Sequence, residues 1–113
     1  MNIAQHLEVS NVSGFKVFPR EVEEILFRHE AVKEAAVIGV PDPLRGEAVK
    51  AFVVLHESKR VTAEALQTLC RDAIASYKVP ETIEFVSALP KNPTGKILKK
   101  ELRQRAAIEW PRR

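Results

Sequence analysis

Cysteine is almost missing from this sequence, Cys70 being the only one in 113 residues. A single thiol excludes an internal disulfide and any metal site built from paired cysteines, and it suits a reducing compartment. Long apolar runs are missing too. None approaches the ~20 residues of a membrane span, and the first ten residues lack the basic-then-apolar order of a secretion signal, so the expectation is a cytoplasmic protein with no membrane span. Aromatic residues make up 6% of the chain, and the phenylalanines (Phe15, Phe18, Phe27, Phe52, Phe85) fall mostly in apolar runs, which leaves no face for stacking bases. The net charge of +3 suits an anionic ligand, but without clustered charge or aromatic platforms it gives no nucleic-acid surface. His6, His29 and His56 lie far apart with no second ligand at metal spacing, so no metal site is expected in this chain. There is no Gly-x-Ser-x-Gly turn, no distinctive carboxylate pair, no internal repeat and no low-complexity tract.

What remains is an ordinary globular composition, 45% hydrophobic and 29% charged, of a length that fits one domain with one modest core. Residues 1–10 show no sustained period and read as a disordered or vector-derived lead-in; residues 11–113 read as the single domain. Val12 to Val17 offer two extended pieces around Gly14, a tight hairpin or a bulged turn. Pro19 suits a first helical turn, and Val22, Ile25, Leu26 and His29 recur at helical spacing, predicting a helix over 19–29. Residues 32–40 and 48–55 are β-branched apolar runs joined by a turn-rich loop, and so short a connection predicts antiparallel pairing. Thr62 is a helix N-cap, with Val61 and Leu66 placed as a hydrophobic staple and Leu66, Leu69, Cys70, Ala73, Ile74 and Tyr77 as one stripe. Cys70 lies inside that stripe and reads as a core thiol; Arg71 and Asp72 point away from it. Residues 82–86 form another strand, and a basic helix runs from 98 to about 108 with Lys99, Lys100, Arg103 and Arg105. The fold class is α+β: a small, mostly antiparallel sheet with a short N-terminal hairpin and about three helices packed against it.

One loop stands apart. In Leu89-Pro90-Lys91-Asn92-Pro93-Thr94-Gly95-Lys96, two prolines and a glycine form a rigid mount that ends on a lysine, just before the basic helix. On local chemistry alone a solvated charge is the commoner meaning of such a lysine. Gly95-Lys96 is not the end of a phosphate-binding P-loop, because Pro90 stands where that motif needs its first glycine and Ile97 where it needs Ser or Thr.

Four blocks change the reading of this loop. Asn11-Val12-Ser13-Gly14-Phe15-Lys16-Val17 with Pro19-Arg20-Glu21-Val22-Glu23, then Gly39-Val40-Pro41-Asp42 with Gly46-Glu47, then Tyr77-Lys78-Val79-Pro80, then Leu89-Pro90-Lys91 with Thr94-Gly95-Lys96, occur in one order. In that order and spacing they resemble the C-terminal domain of the AMP-forming acyl-CoA synthetases, the adenylate-forming enzymes. The resemblance spans residue 11 to about 106, and its wording looks most like bacterial medium- and long-chain fatty-acyl-CoA ligases.

The resemblance implies a two-step reaction in which a carboxylic acid and ATP give an acyl-adenylate, and coenzyme A then displaces AMP. It implies that Lys96 is the catalytic lysine, presented by Gly95, and that Ser13, Gly14, Phe15 and Lys16 line the coenzyme A tunnel. Arg71 matches a coenzyme phosphate contact; for Lys16 and Arg71 a solvated surface charge stays equally open. The partner that the resemblance implies is a large N-terminal adenylation domain, on the same or a separate chain, where Mg2+ is also expected; residues 11–113 would be a domain that swings between two orientations and is inactive alone. Residues 4–8 do not match the family's hinge. The alternative is a free-standing, non-catalytic binding module that docks an adenylation domain or a polyanion through its basic C-terminal helix.

Overall fold

The computed structural model describes residues 9–109. The lead-in up to residue 8, and with it the unmatched hinge segment, lies outside the described residues. Ser10, counted in the lead-in by the sequence reading, is already the first residue of β1 (Ser10–Val12), which pairs antiparallel with β2 (Phe15–Val17). Next come α1 (Pro19–Leu26), β3 (Val32–Asp42), β4 (Gly46–Leu55), α2 (Ala63–Arg71), a 3-10 turn (Ser76–Lys78), β5 (Thr82–Phe85) and α3 (Lys99–Glu109). The strands form one sheet in the order β2-β1-β4-β3, with β5 also on β4, and every pairing but one is antiparallel. The α+β class, the N-terminal hairpin and the three helices are thus as the sequence reads.

The centre of the sheet is covered on both faces, which is why β3 and β4 read as continuous apolar runs and not as alternating ones. Ala35, Val37, Val49, Ala51 and Val53 face α1 and α2, where they join Val22, Ile25, Leu26, Leu66 and Cys70. The intervening residues Ala36, Ile38, Phe52 and Val54 face the other way, onto Leu89, Leu102 and Ala106. The domain therefore has two small cores, one per face, separated by the β3-β4 hairpin. β5 is the parallel exception. Its crossover from β4 runs through α2, as a parallel pair requires, and the Gln67 amide of α2 donates to the carbonyls of Pro80 (2.9 Å) and Glu81 (3.1 Å), fixing the entry to β5.

Several boundaries differ from the sequence expectation for local reasons. α1 stops at Leu26 and not at His29, because Arg28 and His29 donate to carbonyls only three residues back and the His29 ring accepts the Ala31 N–H at 3.1 Å. α2 stops at Arg71, so the expected stripe breaks: Ala73 is exposed and Tyr77 sits in the 3-10 turn. The loop between β3 and β4 is only three residues long, since pairing runs out to Asp42 opposite Gly46. The phenylalanines are not mostly in the core. Phe15 (56%), Phe27 (49%), Phe85 (40%) and Phe18 (39%) are exposed and Phe52 alone is buried, because each of the four lies at an element end or on the uncovered side of a short strand.

Candidate functional site

Lys96 is held by a loop that closes on itself. The Asn92 side-chain oxygen accepts the main-chain N–H of Thr94 (3.0 Å) and of Lys96 (2.9 Å) and the Thr94 hydroxyl (2.7 Å). Main-chain bonds from Gly95 to Asn92 and from Asn92 to Lys96, both 2.9 Å, complete the turn, and Gly95 has φ +90, a conformation that favours glycine. Lys91 opposite Ile97 and Leu98 donating to Pro90 zip the base of the loop, while Leu89 and Ile97 seat it on the α3-side core. Lys96 itself is exposed, and among the described residues no carboxylate pairs with it. A fixed backbone thus presents a solvated ammonium outward.

The hairpin residues lie elsewhere. Ser13 (φ +52) and Gly14 (φ +84) make the two-residue turn between β1 and β2, the pair of positive φ values that a tight hairpin needs, and Ser13 donates to the Arg45 carbonyl at 2.8 Å. The Phe15 ring lies 4.8 Å from the Tyr77 ring, and Tyr77 belongs to an open cavity of about 250 Å³ lined also by Val12, Arg45, Val49, Gln67, Arg71 and Glu81. Phe15 therefore touches Tyr77, one of the residues that line the cavity with Arg71, without lining it itself. Lys16 is exposed on β2 and is not among the residues lining the cavity.

The apolar wall of the cavity, Val12, Val49 and Val79, belongs to the core on the α1/α2 face, whereas the Lys96 loop rests on the core of the α3 face. The sheet separates the two groups. Sequence reasoning found Gly95 and Lys96 on the loop and Arg71 in the cavity, and missed Arg45, Tyr77, Gln67 and Glu81 as cavity residues. Arg45 looked like an ordinary turn residue, and the cavity is formed by residues spread from Val12 to Glu81 that meet only once the sheet closes, so no local signal marks it.

Charges are organised around these sites. Asp42 accepts the N–H groups of Leu44 and Arg45 and the Arg45 guanidinium at 2.9 Å, and these bonds, that of the guanidinium first, hold its carboxyl below the usual carboxylate range. The same bond, and a second ion pair to Glu81, raise Arg45 further. Burial alone pushes the Cys70 thiol up to about 11, consistent with a core thiol and not a nucleophile. The C-terminal helix is less open to polyanions than its sequence implies, since Lys99 pairs with Glu23 at 2.6 Å and Arg105 with Glu84. Among the described residues no group of three or more His, Cys, Asp or Glu could hold a metal ion, and no helix is long and apolar enough to cross a membrane.

Known proteins resemble this chain in sequence and in fold. The family profile described as AMP-binding enzyme C-terminal domain matches residues 21–96. A human mitochondrial acyl-coenzyme A synthetase is 49% identical over 104 residues, and a long-chain-fatty-acid–CoA ligase of Bacillus subtilis is 51% identical over 89 residues. These matches cover 87% and 79% of this chain but only 18% and 16% of the relatives, so the chain spans less than a fifth of either protein. Among solved structures, an acyl-CoA synthetase of Brucella canis superposes with TM-score 0.85 at 42% identity, covering 90% of this chain and 19% of that one. An amide bond synthetase of Marinactinospora thermotolerans superposes with TM-score 0.83 at 40% identity, covering 87% and 20%.

Proposed function

The chain belongs to the family of AMP-binding enzyme C-terminal domains, as found in AMP-forming acyl-CoA synthetases, and we propose that it is the mobile lid of an ATP-dependent acid–CoA ligase. The observation that carries this reading is that Lys96 and the Arg71 cavity lie on opposite faces of one sheet. A domain with two functional faces can serve two half-reactions by turning one face and then the other toward a common active site.

In the first orientation the Lys96 ammonium stands between the attacking carboxylate and the α-phosphate of ATP. It offsets negative charge that builds up in the transition state, and the Asn92-braced loop fixes its position beforehand, so little reorganisation accompanies reaction. Gly95 supplies the backbone turn that aims it. In the second orientation the hairpin of Ser13, Gly14, Phe15 and Lys16 lines the path of the coenzyme A arm, and Arg71 takes a coenzyme phosphate as a bidentate donor. The acyl pocket, the ATP phosphate loop and the Mg2+ site belong to the large N-terminal adenylation domain, so this chain alone does not adenylate an acid. The identity of the relatives points to hydrophobic acids as substrates, and a cytosolic setting suits the reduced Cys70. The competing reading, a polyanion-binding module, loses support because the pairs of Lys99 with Glu23 and Arg105 with Glu84 occupy part of the basic helix.

Arg71→Gln tests the two-face assignment in the enzyme containing the large domain. It should raise KM for coenzyme A and leave acid-dependent exchange of pyrophosphate into ATP unchanged. Equal damage to both would remove the assignment.

A further inference from the structure

The cavity beside the hairpin is lined by two arginines, Arg45 and Arg71, and by one carboxylate, Glu81. Two guanidinium groups on one small volume make a site for an anion of two or more charges, because each can donate paired N–H bonds to phosphate oxygens. Arg45 is not free to do so. It donates to Asp42 and is ion-paired with Glu81, which lines the cavity with it.

The two carboxylates hold it in different ways. Asp42 is only 15% exposed and accepts two main-chain N–H groups as well, so it is part of the turn and cannot leave Arg45 without unmaking it. Glu81 is 47% exposed, and among the described residues its carboxylate has no partner except Arg45. Its backbone is fixed, the N–H donating to Val49 at 2.9 Å and the carbonyl accepting Gln67, so the side chain can swing away while the cavity wall stays. Asp42 therefore positions Arg45, and Glu81 occupies it.

We infer that Glu81 is a latch: its carboxylate holds Arg45 until a diphosphate-bearing ligand displaces it, and its return to Arg45 hastens that ligand's release. The inference rests on reading this cavity as the coenzyme site and adds a regulation to it. A ligand with one charge gains little by the exchange, because it gives up one ion pair to form another. A diphosphate can replace Glu81 on Arg45 and engage Arg71 as well, so the latch also selects for charge.

The test uses inorganic pyrophosphate as probe, titrated into the folded chain while the arginine Nε–H signals are followed by NMR. Relative to the parent, Glu81→Gln should bind pyrophosphate about two- to fivefold more tightly, the range expected for release of a partly exposed ion pair. Glu57→Gln, which removes the same charge from an exposed turn, should change it less than that. Arg45→Gln should weaken binding and abolish the difference made by Glu81→Gln. Equal or weaker binding by Glu81→Gln would overturn the latch. If Arg71→Gln still weakens binding in that case, the coenzyme reading of the cavity stands without it; if pyrophosphate binds to no variant, both fall.

Discussion

The side-chain oxygen of Asn92 accepts the main-chain N–H of Lys96 at 2.9 Å, and through this bond the loop fixes where the lysine side chain begins. Because the same oxygen also takes Thr94, removing it frees the whole tip of the turn. Asn92→Ala should therefore lower the adenylation rate of the complete enzyme about tenfold or more while Lys96 is still present, since small misplacements of a reacting group are costly. Thioester formation from supplied acyl-adenylate should change little. Rapid-quench assays of the two half-reactions check this; an unchanged adenylation rate would show that the brace has no part in aiming Lys96.

Gly39 and Ser10 meet where β3 passes the hairpin. A Cβ on Gly39 would fall on the Ser10 hydroxyl, 3.0 Å from its Cβ and 3.3 Å from the Glu47 carboxyl carbon. Glu47 in turn accepts the Asn11 N–H at 2.7 Å, so the crowding strikes the bonds that dock β1. Gly39→Ala should destabilise the domain by about 1–3 kcal/mol, the usual range for overpacking, and Ser10→Gly in the same chain should recover part of the loss. Thermal melts of the single and double variants measure both.

Glu23 closes the outer edge of the sheet. β3 is an edge strand, and the Glu23 carboxylate accepts the Val37 N–H at 2.8 Å while pairing with Lys99 at 2.6 Å, which ties α1 to α3 over that edge. Glu23→Ala should cost about 1–3 kcal/mol, because it leaves a partly buried donor unsatisfied. Hydrogen exchange at Val37 should rise more than at Ala51 in the central strand. It should also favour self-association, as an unprotected edge invites pairing.

Burial holds the Cys70 thiol neutral up to about 11, from an ordinary value of 9.0. The unfolded chain gives up this proton first, so the stabilising contribution is complete below pH 9 and declines as pH rises through the interval to about 11. Cys70→Ala should flatten this part of the stability–pH curve, although it lowers overall stability by opening a cavity. At pH 8 the native thiol should resist alkylation by iodoacetamide and react only on unfolding, as read by mass spectrometry.

The elements whose patterns are local were legible in the sequence. The period of Val22, Ile25 and Leu26, the Thr62 cap, whose hydroxyl oxygen accepts the Ala65 N–H at 3.0 Å, and the hairpin around Gly14 all form as read. The parallel placement of β5 was not legible, because pairing with the middle of β4 depends on where α2 packs and not on the composition of Thr82–Phe85. The early ends of α1 and α2 escaped for a related reason: His29 and the turn after Cys70 satisfy backbone groups in ways that apolar spacing does not encode. Lys96 was visible as a lysine on a rigid loop, but its bracing by Asn92, four residues back, was not singled out. Arg45 and Glu81 were invisible as a pair, lying on different turns that meet only in the folded chain.

Lys96→Ala in the complete enzyme tests the central claim most directly. The two half-reactions are measured separately, acid-dependent exchange of pyrophosphate into ATP for the first and coenzyme A capture of supplied acyl-adenylate for the second. Loss of a charge aimed at the transition state predicts a fall of about 10²–10³-fold in the first, with the second kept within about threefold. Equal loss in both half-reactions, or no loss in the first, would contradict the assignment of Lys96 to the adenylating face.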